Sequence, residues 1–367
     1  MTGYHADHVG SLLRPKSLLD ARAAHEKGHI SSEQLATAED QAILHALRLQ
    51  KEAGVDVLSD GEFRRASWVA GLYDAAEGLA PGEDHRPRGM WKGPGAEKAN
   101  EDLPIPSVVV KSKLKLKGRI TGRESAFMGK YAEGPFKVTM PGPTIYMNLY
   151  QEGVSEAAYP DRQAFLDDLV GVYKAEVRAQ VADGAAYVQL DSLRYTYVIT
   201  RLGQTMTDIP PEQVLEEAIS SDNAVLTEAK AAGATTAIHI CRGNHRSAWA
   251  GEGGYGPVAE RLFSEVAADR FLLEFDDERS GGFEPLRHVP KGKTVVLGLI
   301  TTKTPQLEDK DALRRRVDEA ARYVDLENLA ISPQCGFAST YLGNLLTEDE
   351  EKRKLELVAD TARSIWG

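Results

Sequence analysis

Residues 235–244, TTAIHICRGN, place a histidine and a cysteine, His239 and Cys241, one residue apart at the end of a β-branched run. Such a run predicts a strand, and residues i and i+2 of a strand project from the same face. An imidazole and a thiolate leaving a strand end together make half of a tetrahedral zinc site. The chain's other cysteine, Cys335, also follows an apolar run, 329–332, and the run 270–275 carries Glu274, with a second acid in Asp276 just beyond. Three strand ends thus offer His239, Cys241, Glu274 and Cys335 as ligands for one Zn2+ ion. For His-x-Cys alone, the bland alternative is a buried thiol beside a core histidine.

Two further strand ends carry acids. VDVLSDGE, residues 55–62, reads as a buried strand ending in Asp60 and Glu62, and AYVQLD, residues 186–191, ends in Asp191. The opening HADHVGSLLRP breaks at Gly10 and Ser11. Main-chain N–H groups around such a bend can receive a carboxylate, although an ordinary turn explains the break equally well.

The elements that must position these residues follow one rhythm. Ser31 and Gln34 form a capping-box pattern before a long helical run that Gly54 should stop. Another helix follows Asp161, with Phe165, Leu169, Tyr173 and Val177 at spacings of four. Strands near residues 5, 55, 137, 186, 235, 270, 294 and 328, most of them followed by a helical pattern, make eight β/α units. The fold class predicted is α/β, a (β/α)8 TIM barrel spanning residues 1–367 as one domain. An inserted β-hairpin arm, residues 78–134, is placed between strands 2 and 3, where a Gly/Pro/charge-rich stretch leads into SVVVKSKLKLKGRI. The alternating lysines there predict a solvated edge strand. A doubly wound open sheet is the alternative, but no glycine-rich dinucleotide fingerprint follows the first strand. The barrel matters for function because catalytic groups of this fold gather at the C-terminal ends of its strands, where the candidates above all fall.

Composition narrows the partners. With 367 residues, 42% hydrophobic content and a formal net charge of −11, a general affinity for nucleic acid or an anionic membrane surface is not expected. No apolar run approaches the roughly 18 residues of a membrane span, and the N-terminus lacks a secretory signal pattern; a cytoplasmic location is expected. Two cysteines make no disulfide framework, which leaves shared metal binding, inert buried thiols or one disulfide.

HVGSLLRP, SDGEFRR, QLD, HICRGN, LEFDDERSGGFEPLR and SPQCGF occur in this order and cover nearly the whole chain. As a set they resemble the catalytic barrel of cobalamin-independent methionine synthase and its shorter single-barrel relatives. The resemblance implies zinc-dependent transfer of a methyl or other alkyl group to a thiol such as homocysteine, through a zinc-bound thiolate. It matches His239, Cys241 and Cys335 to the family's zinc ligands and Glu274 to the exchangeable glutamate of the resting site. It also implies that Gly10 and Ser11 hold the substrate's carboxylate, while Glu62 and Asp191 bind its ammonium group. The chemistry is coherent, because a free thiol titrates near about 8.5 and coordination to zinc makes it a thiolate at neutral pH.

Two departures leave the alkyl donor open. The full-length synthase adds an N-terminal barrel that helps to bind folate, whereas a chain of this length is expected to hold only the catalytic one. The synthase also has a histidine followed by Ser-Pro after its seventh barrel strand, placed to protonate the leaving folate. Here that stretch is Lys303-Thr304-Pro305, so Lys303 is the candidate acid or a holder of anionic substrate, against the bland alternative of an exposed structural lysine. The competing reading is an epoxyalkane:coenzyme M transferase, which needs a cationic pocket for a sulfonate, with Arg201, Arg242 and Lys303 as candidates. A metal-free uroporphyrinogen decarboxylase-like enzyme and a non-catalytic metal-binding protein are further alternatives. The partners expected are a small-molecule thiol and an alkyl donor, with homo-oligomerisation left open.

Overall fold

The computed structural model describes residues 3–83, 89–102, 105–200 and 206–367. Arg201 lies outside the described residues. Two antiparallel strands come first, β1 (Ala76–Pro81) and β2 (Val108–Leu116). Six parallel strands follow: β3 (Lys137–Pro141), β4 (Tyr187–Asp191), β5 (Thr235–Ile240), β6 (Arg270–Glu274), β7 (Thr294–Ile300) and β8 (Leu329–Pro333), hydrogen-bonded in that order. Every residue of β3, β4, β6 and β8 is buried, as in parallel strands covered by helices on one face and filling a barrel on the other.

The ring closes through two shorter staves. Ala6 bridges Ile331 of β8, and Leu58 bridges Phe136 beside β3, both in parallel. Asp56 N donates to Ala6 O at 2.9 Å and joins the two. The eight staves are those expected, but the first two are single bridges because side chains take up several of their ladder donors. Ala6 N donates to Asp56 Oδ2, His8 N to Asp7 Oδ1 and Ser59 N to Gln50 Oε1.

The helices obey their local signals. Ser32–Ala53 starts in the reciprocal Ser31/Gln34 box and stops at Gly54 with φ 82. Arg162–Ala182 is capped by the Asp161 side chain on Ala164 N, a contact worth about 1 kcal/mol. Its Phe165, Leu169, Tyr173 and Val177 are fully buried.

The inserted arm contains the hairpin expected within 78–134, with helices added to it. Its two strands pair from Ala76 to Leu116, a helix, Ala96–Glu101, lies between them, and a second, Gly122–Tyr131, follows. Lys111, Lys113 and Lys115 are exposed, as the alternation predicts. The segment before Ala96 docks on the loop after β5: Lys92 and Trp249 exchange both main-chain hydrogen bonds, at 2.8 and 3.0 Å. Gly95 is required there, since a Cβ on it would stand 2.0 Å from Arg246 O.

Candidate active site

The ends of β5, β6 and β8 bring His239, Cys241, Glu274 and Cys335 into one buried group whose ligand atoms all lie within 4.8 Å of one another. Gly298 makes the approach of β8 possible, because a Cβ there would meet Gln334 Cα at 2.6 Å and Leu273 O at 2.7 Å. Cys241 and Cys335 are both free, with their sulfurs 3.3 Å apart. His239 Nδ1 lies 3.1 Å from Leu272 O. A carbonyl only accepts, so Nδ1 carries the proton and Nε2 keeps its lone pair. That Nε2 is buried without a hydrogen-bond partner. Glu274 Oε1 accepts from Arg242 N at 2.8 Å, whereas Oε2 is buried with no hydrogen bond and has the Arg279 guanidinium 3.5 Å away. Asp276 is held by two Arg279 contacts of 2.8 and 2.9 Å, so Glu274 is the acid that faces the thiols.

Taken by themselves, these side chains disfavour the Cys241 thiolate and favour the charged form of His239. The neighbouring Cys335 thiol and burial push the Cys241 thiol well above its ordinary range. His239 is drawn upward because contacts with Cys241 and the charges of Asp191 and Glu274 outweigh the downward pull of burial. Two thiols, an orphaned imidazole nitrogen and an orphaned carboxylate oxygen fit a tetrahedral zinc ion.

A cavity of about 190 Å³ opens against this group, and Ser11, Glu62 and Asp191 share its lining with His239, Cys241 and Cys335. Glu62 adopts φ 61, left-handed for a non-glycine residue, the kind of strain that collects at functional sites. Its Oε1 accepts from Thr139 Oγ1 at 2.8 Å, and its Oε2 is buried without a partner. Asp191 is the register partner of His239 across β4 and β5. Burial pushes its carboxyl up to about 6, with His239 opposing and Glu62 adding to the rise. Ser11 packs on the turn after Cys335, so closely that a Cβ on Gly336 would stand 1.9 Å from Ser11 Oγ. Among the described residues, neither the Gly10 nor the Ser11 N–H has an acceptor. Gly10 itself is not among the residues lining the cavity; its φ is +128, and a Cβ on it would stand 2.7 Å from Thr139 Cγ2.

Lys303 is buried, and not exposed as the bland reading has it. Its Nζ donates to Asn244 Oδ1 at 2.5 Å and to the carbonyls of Gly243 and Ala248 at 3.3 Å, and it is not among the residues lining the cavity. Asn244 donates in turn to Gly336 O at 2.7 Å, and Asn344 Nδ2 bonds both Asn244 Oδ1 and Thr302 O. The three loops bearing Cys241, Lys303 and Cys335 are thereby tied together. Sequence reading passed over both asparagines, and only the Asn in HICRGN signalled one of them. It also missed the far wall, where Trp68, Tyr73, Met90, Trp91 and Tyr197 make the cavity largely apolar.

Residues 6–362 match the family model described as the catalytic domain of cobalamin-independent synthase. The chain belongs to the cobalamin-independent methionine synthase family. It is 37% identical to the uncharacterized protein YxjH of Bacillus subtilis, over 99% of this chain and 95% of that one. A methionine synthase of Pyrococcus abyssi is 26% identical over 89% of this chain and 84% of its own length. The crystal structure of a putative vitamin-B12 independent methionine synthase from Listeria monocytogenes superposes with a TM-score of 0.76 at 31% identity, covering 99% of this chain and 98% of that one. A B12-independent methionine synthase from Shewanella sp. W3-18-1, solved in complex with selenomethionine, shares the fold with a TM-score of 0.73 at 19% identity, covering 99% and 97%.

Proposed function

We propose that the protein is a zinc-dependent methyltransferase that alkylates the sulfur of an amino thiol such as homocysteine. One observation carries the reading: two thiols, an unpartnered His239 Nε2 and an unpartnered Glu274 Oε2 meet beside a cavity that holds two more buried carboxylates. His239, Cys241, Cys335 and Glu274 would hold the zinc ion, which supplies the charge that makes a substrate thiol a thiolate at neutral pH. The Glu274 carboxylate is held by a single hydrogen bond, from Arg242 N, so it is the ligand that yields to a substrate, with Arg279 near enough to receive its charge. The free Glu62 Oε2, together with Asp191, takes the ammonium group, and the open N–H groups of Gly10 and Ser11 take the carboxylate. The apolar wall keeps water from the alkyl carbon under attack. Lys303 acts here through Asn244, by holding the Cys241 loop against the Cys335 loop. Selenomethionine bound to the Shewanella relative is a selenium analogue of the product such a transfer forms, which supports the choice of acceptor.

No helix among the described residues is long and apolar enough to cross a membrane, and small-molecule reactants in a reducing cytosol fit two free thiols. The epoxide-opening alternative needs a cation facing the cavity. Arg242 is taken up by Gly253 O and Tyr255 Oη and Lys303 by the loop contacts above, so among the described residues Arg194, which lines the cavity with only its Nε bonded, is the cation left for it.

Elemental analysis of the wild type and of Cys335→Ala tests the reading, with zinc X-ray absorption before and after homocysteine is added. About one zinc per chain, lost in the variant and gaining a sulfur neighbour with homocysteine, is the expected result. Zinc-free protein, or zinc retained by Cys335→Ala, overturns it.

A further inference from the structure

Five arginines are buried among the described residues: Arg14, Arg65, Arg194, Arg242 and Arg270. Four of them are well answered. Arg65 forks onto Glu124, Arg270 meets Asp7, Arg14 donates to four carbonyl groups and Arg242 makes three hydrogen bonds. Arg194 is 6% exposed, yet its one hydrogen bond runs from Nε to Thr144 O at 2.9 Å. Its guanidinium lies over the Tyr197 ring, 5.1 Å from the centroid. Among the described residues no carboxylate pairs with it, and neither Nη group has an acceptor. Arg194 and Tyr197 both line the substrate cavity. An unpaired buried cation is costly, and a planar fork with two free N–H edges is the geometry that grips an oxyanion.

We propose that Arg194 anchors an oxyanion of the alkyl donor, so that the donor is a small molecule with a carboxylate, sulfonate or phosphate on an apolar body. The proposal rests on the alkyl-transfer reading of this cavity. The amino thiol's own carboxylate has the Gly10 and Ser11 N–H groups, so Arg194 is left for the second substrate. The aromatic wall that includes Tyr197 and Trp68 accommodates that substrate's apolar part. Sequence reading named Arg201, Arg242 and Lys303 for this task; among the described residues Arg242 lines the cavity too, but Gly253 O and Tyr255 Oη take up its guanidinium, and the cation left open there is Arg194.

The test titrates butyrate, propane-1-sulfonate and propyl phosphate into zinc-loaded protein saturated with homocysteine, for the wild type, Arg194→Gln and Arg194→Lys. At least one probe should bind the wild type alongside homocysteine. Its affinity should fall about 10- to 100-fold in Arg194→Gln, the loss expected for a charge-assisted pair, and recover in part in Arg194→Lys. Which probe binds identifies the oxyanion. Homocysteine affinity should stay within about twofold in both variants, which also reports that they fold. Equal probe binding by wild type and Arg194→Gln, no binding of any probe, or displacement of the probe by homocysteine overturns the assignment. Failure of the wild type to bind zinc or homocysteine at all would instead strike the alkyl-transfer reading.

Discussion

At the N-terminal end of the barrel Asp7 lies between Lys137, at 2.8 Å, and Arg270, at 3.3 Å, with Tyr187 Oη 3.1 Å away. At the C-terminal end Glu62, Asp191, Glu274, His239 and two thiols are buried as well. Lys137 also reaches Gln189 Oε1 at 2.9 Å and the carbonyl of His8. Burial opposes ionisation of Asp7, but the Lys137 and Arg270 charges prevail and hold its carboxyl at about 2. The upper group keeps Glu62 Oε2, Glu274 Oε2 and His239 Nε2 without hydrogen bonds, its nearest cations standing off at 3.5 Å (Arg279 to Glu274) and 3.8 Å (Arg65 to Glu62), and Asp191 rises instead of falling. Burial alone therefore does not mark a functional site. What separates the two ends is whether the protein completes the hydrogen bonds of its buried charged groups or leaves some of their atoms to a ligand.

Lys137→Met should break the lower network most severely. It strips Asp7 of its nearest partner and should cost about 3–5 kcal/mol of stability by denaturant unfolding, with zinc stoichiometry of the folded fraction unchanged. Cys241→Ser should do the reverse. It should lower methyl transfer by at least about 100-fold while the metal-stripped variant and metal-stripped wild type unfold at the same denaturant concentration; unequal midpoints would blur the distinction between the two ends.

A pH profile sharpens the comparison further. Asp7 is depressed from 3.8 to about 2, so its contribution is fully present above its unfolded value and is lost as pH falls through about 2. The difference corresponds to about 2 kcal/mol. Unfolding measured between pH 5 and 2 should show that slope in the wild type and lack it in the less stable Asp7→Asn. The smallest effect is expected from Thr139→Val, which removes the 2.8 Å bond to Glu62 Oε1. A lost hydrogen bond of about 1 kcal/mol should raise KM for the thiol roughly fivefold with kcat unchanged; a fall in kcat alone would show that Thr139 does not act through substrate binding.

Much of the barrel was legible because its signals are local. Ser31 with Gln34, Asp161, and the Phe165–Val177 spacing each specify a helix edge or face within a few residues, and the helices form where those signals stand. The His239/Cys241 pairing follows from the two-residue period of a strand. The hairpin of the insertion was legible in its alternating lysines, but the helix Ala96–Glu101 between its strands was not, since its neighbours dock on the β5 loop through contacts that its own composition does not announce. Lys303 illustrates the same limit. A lysine beside Thr-Pro gives no sign that Asn244 and two carbonyls wait for it, and its burial depends on loops 55 to 60 positions away.

By itself the sequence determined which side chains can ligate and that each stands at a strand end, because residue type and strand period are properties of neighbouring positions. Only the tertiary structure decided which buried charges are answered. Lys137 and Asp7 are 130 positions apart and Cys241 and Cys335 are 94 apart. A long side chain is paired or left open according to what the barrel's closure brings beside it, and for Arg194 that closure brings a cavity and no acid.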